Sequence, residues 1–288
     1  MAVEKQLSCT INVGGHLLDL SSPVVMGILN ATPDSFYAAS RVQAEKDIAA
    51  RAEQIIAEGA AIIDVGGCST RPGSTLATEK EEVERLRFAL STIRKSQPDA
   101  VVSVDTFRPD VARMAVEEYG AAIVNDISEG RGWGDETMHD EDAIPPIFKM
   151  VAHLKVPYIL TSVKSDMKEM LLAFSQETRM LHNMGLNDII LDPGFGFGKD
   201  LNQNYIILSQ LSLLKTLGLP VLVGVSRKSM ATRLLGCNAS EALNATTALH
   251  AIALMKGAAI LRAHDVKEAV ETCRIMKKLS SVQSEATY

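Results

Sequence analysis

Short apolar runs ending in Gly, Asn, Asp or Ser, each followed by a longer helical pattern, recur along the chain and constrain its fold more than any other feature. They begin near Val24, Ala61, Val101, Ala122, Pro157, Asp188, Pro220 and Ala259. Eight such units, spaced by about 20–40 residues, predict a (β/α)8 or TIM barrel, whose usual length of about 250 residues leaves room for extras in a chain of 288. A doubly wound open sheet is the alternative that the same alternation permits.

Local signals agree with the alternation. Thr78-Glu79-Lys80-Glu81 forms a capping box at the head of a charged amphipathic stretch, and Pro109 suits a first helical turn before Val111, Met114 and Ala115. Gly59, Gly120 and Gly257 each close a helical pattern just ahead of a strand. The segment from Thr10 to Leu20 alternates around Val13-Gly14-Gly15 and predicts a small hairpin placed to plug the barrel's N-terminal mouth. With no linker rich in Pro, Gly or Ser, residues 1–288 read as one domain, of which 1–22 form the hairpin extension. The stretch from Ser128 to Pro146, glycine-rich and then acidic, reads as a solvated loop.

Composition narrows the function classes. At 47% hydrophobic and 22% charged residues, disorder and coiled coil are poor fits. A net charge of −6 offers no footprint for nucleic acid, so an anionic ligand must be small and held by a local cluster of cations. Cys9, Cys68, Cys237 and Cys273 lie scattered without CxxC spacing and read as free thiols in a reducing compartment. No apolar run approaches the roughly 20 residues of a membrane span and no signal-like segment is present, which points to the cytoplasm.

In a parallel α/β barrel the residues just past the strand C-termini line the site. Strand one delivers Asn30 and the run Thr32 to Phe36; strand two, Asp64 and the turn containing Thr70, Arg71 and Pro72; strand three, Asp105; strand four, Asn125; strand six, Asp192 and the turn that holds Phe197. Strand seven adds Ser226, Arg227, Lys228 and Ser229, and strand eight adds Arg262, His264 and Asp265. Asp105, Asn125 and Asp192 are short polar groups suited to a flat heterocycle with amidine-like N–H groups, because buried carboxylates need donors. Arg71, Lys228, Arg262 and His264 form an opposing anion site. Taken singly, Asp105 could merely cap a helix, His264 could start one, and Lys228 could be solvated; their meeting at one rim is what gives them meaning. Gly194, Gly196 and Gly198 mimic a phosphate loop, but the spacing fails and Asp200 stands where a Ser or Thr would be needed. The run His139 to Asp142 resembles a metal cluster but reads as solvated charge, and Asp64, well placed in the site, could also serve only to brace its own turn.

The motifs MGILNATPDSF, DVGGCSTRPGS, SVDTF, VNDIS, LDPGFGFGKD, VGVSRKS and LRAHDV stand in series between about Val24 and Ala269. In that order and spacing the chain resembles the dihydropteroate synthase family of pterin-binding barrels. The resemblance implies a transferase of folate biosynthesis that joins 4-aminobenzoate to 6-hydroxymethyl-7,8-dihydropterin pyrophosphate and releases pyrophosphate. Asp105, Asn125, Asp192 and Lys228 would hold the pterin. Asn30, Arg71, Arg262 and His264 would hold the pyrophosphate, with Asn30 ligating Mg2+. Thr70, Arg71, Pro72, Phe197, Lys228 and Ser229 would shape the aminobenzoate pocket, open to sulfonamides, and Lys228, Arg262 and His264 would carry the catalysis. A homodimer that binds neither nucleic acid nor membrane is implied as well. On this reading Arg262 serves the pyrophosphate alone, so its loss should spare the free pterin alcohol.

Three places depart from the family pattern. Thr161-Ser162 stands where Met-His is usual, Tyr37-Ala38-Ala39-Ser40 where Ser-Asp-Gly-Gly is usual, and Cys68 where Glu is customary. Two rivals share the acidic floor: a pterin-binding methyl carrier protein, which has no use for Arg71, Lys228 and the Arg262–His264 pair, and a catalytically silent pterin-binding paralogue.

Overall fold

Strands buried on both faces give the barrel its regularity. The structure, a computed structural model, describes residues 9–31, 41–69, 75–134, 137–138, 140 and 143–285. A hairpin of β1 (Thr10–Val13) and β2 (His16–Asp19) precedes the barrel strands β3 (Val24–Asn30), β4 (Ile62–Gly66), β5 (Val102–Asp105), β6 (Ile123–Asp126), β7 (Tyr158–Thr161), β8 (Ile189–Asp192), β9 (Leu222–Val223) and β10 (Ile260–Ala263). All eight pair in parallel, in the order β8-β7-β6-β5-β4-β3-β10-β9, and a parallel bridge from Leu191 to Val221 brings the two ends together. The expected (β/α)8 barrel is therefore the observed fold, with each strand starting within two residues of its predicted position. The shortest strand, β9, follows Pro220, which has no N–H to donate, and the Val221 carbonyl is shared by the amides of Ala259 and Ile260.

Side-chain alternation sorts the strands into two cores. Met26, Ile62, Ile123, Ile159, Ile190, Leu222 and Ile260 face inward and pack with Ile11, Val13 and Leu20 of the hairpin. Their neighbours, among them Val25, Ile63, Val104, Val124, Leu160 and Leu261, face outward into the helical layer. The hairpin thus plugs the lower barrel, as its sequence predicts, and its turn uses Gly14 and Gly15 at φ 64° and 90°, which residues with a Cβ adopt rarely.

The helices are α1 (Arg41–Ala57), α2 (Glu79–Ser96), α3 (Pro109–Tyr119), α4 (Pro146–Leu154), α5 (Met167–Asn183), α6 (Leu201–Gln210), α7 (Ser229–Leu235), α8 (Leu243–Met255) and α9 (Val266–Glu285). The predicted capping box heads α2, where Thr78 N–H donates to Glu81 at 2.8 Å and Glu81 N–H to the Thr78 hydroxyl at 3.3 Å. Pro109 opens α3 and Gly120 closes it in the left-handed region. Asp200, which breaks the phosphate-loop pattern, caps α6 through Gln203. No helix among the described residues is long and apolar enough to cross a membrane, and all four cysteines are free.

One expectation changes. The start of the segment from Ser128 to Pro146 is packed rather than solvated, with Ser128, Glu129 and Gly130 buried. Asp126 causes this by accepting from the N–H of Ser128 and of Gly130, both at 2.8 Å, and from the Ser128 hydroxyl at 2.6 Å.

A buried ion pair fastens α2 to the loop before α3. Arg108 bonds Glu82, with side chains 2% and 0% exposed, and donates to the Ala77 carbonyl at 2.8 Å. Removing one partner leaves a charge stranded in the core, at a cost of about 3–5 kcal/mol. We expect Arg108→Ala to lower the denaturation free energy by about that amount, and Arg108→Met combined with Glu82→Leu to recover much of it. Chemical denaturation curves of the three proteins check this, and equal loss in the single and double variants would contradict it.

Candidate functional site

The polar mouth begins two residues after the apolar inward layer. Asp64 follows Ile62, Asn125 follows Ile123, Thr161 follows Ile159, Asp192 follows Ile190 and Arg262 follows Ile260, so the same alternation turns each toward the lumen at the strand C-termini. Ser103 and Asp105 continue the set on β5, since Val102 and Val104 belong to the outer core.

Arg262 ties this set together. Its Nε donates to Asp64 Oδ2 and its Nη2 to Asp105 Oδ2, each at 2.7 Å, and Asn125 Nδ2 donates to Asp64 Oδ2 at 3.1 Å. The sequence separates a carboxylate floor from a cationic rim; the structure places Arg262 within the floor. The reason is electrostatic, because buried carboxylates left without a cation would carry a large desolvation cost. Burial pushes Asp105 up to about 7, with Arg262 pulling against it. Burial also raises Asp192, opposed by Lys228 and by the Gly194 N–H at 2.8 Å. For Arg262, burial works to lower the pKa, but Asp64 and Asp105 outweigh it and hold the guanidinium charged above its ordinary value.

Lys228 lies beside this ring. Its Nζ donates to the Phe195 carbonyl and sits 4.4 Å from the centroid of the Phe197 ring. Burial lowers it to about 8, while Asp192 pulls it back up. Glycine eases the approach at Gly196, at φ 81°, where a Cβ would stand only 3.2 Å from Lys228 Cδ. Lys199 is a second half-buried cation, lowered to about 8 by its partial burial, and donates to the carbonyls of Ser162 (2.9 Å), Gly194 (3.0 Å) and Phe197 (3.2 Å). It thereby clamps the turn that carries Phe197.

The other predicted residues fall around this centre. Asn30 ends β3, and its side chain and that of Asp105 both lie close to Gly66. His264 takes its backbone N–H to the Ser226 hydroxyl at 3.2 Å and its Nδ1 to 3.3 Å from the same oxygen. Asn30 and His264 line one cleft together with Arg51 and Arg227. Asp265 is occupied by Arg227, whose Nε donates to it at 2.9 Å. Ser229 is the first residue of α7. Thr70, Arg71 and Pro72 lie outside the described residues, as do Thr32 to Ser40, His139, Glu141 and Asp142. Among the described residues, no three His, Cys, Asp or Glu side chains group as a metal site.

Two contributors are not legible in the sequence, and a third, Asp64, proves to be more than a brace for its own turn, since it joins Arg262 to Asn125. Lys199 carried no signal beyond its place after a glycine turn. Trp133, the chain's one tryptophan, meets Phe197 edge-on at 5.9 Å between ring centroids.

Behind β6 and β7 the altered strand end forms its own cluster. Glu129 is buried at φ 56°, accepts from the Ser162 hydroxyl at 2.8 Å and pairs with Lys164 at 3.3 Å. Glu177 stands near it on α5, pushed up to about 9 by burial and by Glu129, and its Oε2 is buried without a hydrogen bond.

Known proteins align with nearly all of this chain. The family described as "Pterin binding enzyme" matches residues 26–264. The dihydropteroate synthase of Escherichia coli strain K12 is 38% identical over 277 residues, covering 95% of this chain and 98% of that protein. The Xanthomonas albilineans dihydropteroate synthase, solved with 4-aminobenzoic acid, superposes with a TM-score of 0.82 at 32% identity, covering 94% of this chain and 98% of that one. The Yersinia pestis enzyme, solved with a pterine-sulfa conjugate, gives 0.79 at 33% identity over 96% and 100% of the two chains.

Glu177 sets a pH dependence of stability. Between the ordinary glutamate pKa of about 4.3 and the native value of about 9, the folded protein holds a proton that the unfolded chain has lost, so stability falls as pH rises. Glu177→Gln removes this contribution. The melting temperature of the variant should exceed that of the parent by a margin that widens from about pH 5 to about pH 9, as read by thermal scans. A constant margin would contradict the assignment.

Proposed function

We infer how the site works from one premise: the chain belongs to the pterin-binding enzymes and, within them, to the dihydropteroate synthases. It is a transferase of folate biosynthesis that joins the amine of 4-aminobenzoate to the methylene carbon of 6-hydroxymethyl-7,8-dihydropterin pyrophosphate, giving 7,8-dihydropteroate and pyrophosphate. Membership of this family decides against the methyl carrier. The observation that carries the division of roles is the bridge from Arg262 to Asp64 and Asp105 beside Asn125.

Asp105, Asn125, Asp192 and Lys228 hold the pterin. The carboxylates and the amide accept from its N–H edge, and Asp64 keeps Arg262 and Asn125 aligned for it. Arg262, His264, Asn30 and Arg71 receive the pyrophosphate. The methylene carbon beside an electron-rich dihydropterin tolerates positive charge as the diphosphate leaves, so the protein's work is to stabilise the departing anion and to place the amine. Thr70, Arg71, Pro72, Phe197, Lys228 and Ser229 form the aminobenzoate pocket, with Phe197 supported by Trp133 and by Lys199. Exclusion of water protects the reacting carbon from capture.

Mg2+ fits a minimal protein contribution. Asn30 offers an exposed amide at the end of β3, and the ion characteristically takes few protein oxygens together with substrate phosphate oxygens and water. Bound there, it would neutralise charge on the leaving diphosphate. We further propose that residues 1–288 act as one domain, that the enzyme works in the cytoplasm, and that it is a homodimer. The exposed stripe of Ile275, Leu279 and Val282 on α9 supports the last point.

Pyrophosphate release should require both substrates and should be inhibited by sulfonamides in competition with 4-aminobenzoate; release from the pterin substrate alone would contradict the placement of the amine. Because Arg262 neutralises two floor carboxylates, Arg262→Ala should weaken the free pterin alcohol as well as its pyrophosphate, and should cost on the order of 100-fold in kcat/KM. His264→Ala should weaken the pyrophosphate form alone. Titration calorimetry with both ligands separates the two.

With Lys228 at about 8, kcat/KM should fall above about pH 8 as the free enzyme loses that proton. Lys199 titrates in the same range, so the pH profile of Lys199→Met identifies the group. A limb that survives in that variant belongs to Lys228, and one that vanishes belongs to Lys199.

A further inference from the structure

We propose that Thr161 is a further specificity-determining residue, whose hydroxyl hydrogen-bonds the polar edge of the bicyclic heterocycle. The proposal rests on the pterin reading given above and deepens it at a position where this chain departs from the family pattern.

Alternation fixes the direction of the side chain. Tyr158 and Leu160 pack in the outer core and Ile159 in the barrel interior, so Thr161 faces the lumen, in register with Asp192. Its environment orients it further. A Cβ on Gly194 would come within 3.0 Å of the Thr161 Cγ2 methyl, which places that methyl against the 194 turn. The hydroxyl is fully buried and has no hydrogen-bond partner in the protein.

Thr161 is not isolated in this. Asp64 Oδ1, Ser103 Oγ and Asn125 Oδ1 are also buried without a partner, and all three residues face the same lumen. Buried polar atoms in folded proteins are nearly always satisfied, so several at one mouth point to a polar ligand that completes them. A pterin ring has donors and acceptors around its edge and suits that demand.

The strand end is held stiffly enough to make the hydroxyl useful. Ser162 N–H donates to the Asp192 carbonyl at 2.8 Å, Lys199 Nζ donates to the Ser162 carbonyl at 2.9 Å, and the Ser162 hydroxyl donates to Glu129 at 2.8 Å. The residue after Thr161 is thus anchored through its backbone on both sides and through its side chain. A preorganised donor loses little freedom on binding.

The test compares Thr161→Val, which keeps the shape and removes the hydroxyl, with Thr161→Ser, which restores it. Affinity for 6-hydroxymethylpterin is measured by titration calorimetry and by the fluorescence of Trp133, alongside KM for each substrate and the melting temperature. Thr161→Val should bind the pterin roughly three- to tenfold more weakly, as for one lost hydrogen bond, with KM for 4-aminobenzoate unchanged. Without ligand it should melt no lower than the parent, since the hydroxyl has no partner there to lose. Thr161→Ser should recover most of the affinity. Parental pterin affinity in Thr161→Val overturns the proposal alone. A loss that tracks a lower melting temperature and affects both substrates equally overturns it too, because that pattern is structural. Failure of the parent enzyme itself to bind pterin would sink the underlying reading instead.

Discussion

The bridge from Arg262 to Asp64 and Asp105 is the interaction on which the rest of the mouth depends. Carboxylates from β4, β5 and β8 are brought into one desolvated space, and without a cation their repulsion and lost hydration would oppose closing the barrel there. A guanidinium can meet two carboxylates with separate N–H groups, as Nε and Nη2 do here at 2.7 Å each, whereas a lysine ammonium would act as a single point of charge. The consequence reaches the backbone. Gly196, at φ 81°, leaves space for the Lys228 stem, since a Cβ there would stand only 3.2 Å from Lys228 Cδ.

Much of this was legible in the sequence, and the part that was not has a physical cause. Strand positions were readable because strands covered on both faces must be apolar nearly throughout, which leaves unmistakable runs at Val24 or Ile189. Asp105, Asn125, Asp192, Lys228 and Arg262 were readable as residues of one rim because they end such runs or follow them. What sequence could not show was pairing across the lumen. Asp64 and Arg262 lie 198 residues apart, and nothing local distinguishes an aspartate that braces its own turn from one that holds a distant guanidinium. Lys199 was hidden for a related reason, since its three acceptors are backbone carbonyls, which every sequence offers everywhere.

The end of β7 shows how a neighbouring segment is drawn into the core. Ser162 turns outward to Glu129, and Glu129 adopts a positive φ that a residue with a Cβ takes only when its surroundings insist. Those surroundings are the Ser162 hydroxyl, Lys164 and the turn drawn in by Asp126. The segment predicted to be solvated is therefore coupled to the strand that ends in Thr161. Glycine-rich composition pointed to solvent; the buried Asp126 carboxylate, accepting three local donors, folded the segment inward instead.

Charge and occupancy of the mouth are linked. Burial pushes Asp105 and Asp192 up and Lys228 and Lys199 down, so in each case dehydration works toward the neutral form. A dihydropterin that brings N–H donors to the carboxylates reverses the first pair of shifts, because hydrogen bonds to a carboxylate stabilise its ionised form. An anionic group bound beside the lysines would reverse the second pair by stabilising the ammonium groups. Each kind of ligand group would therefore draw these side chains toward their ionised forms. Arg262 differs, because Asp64 and Asp105 already hold it charged without a ligand.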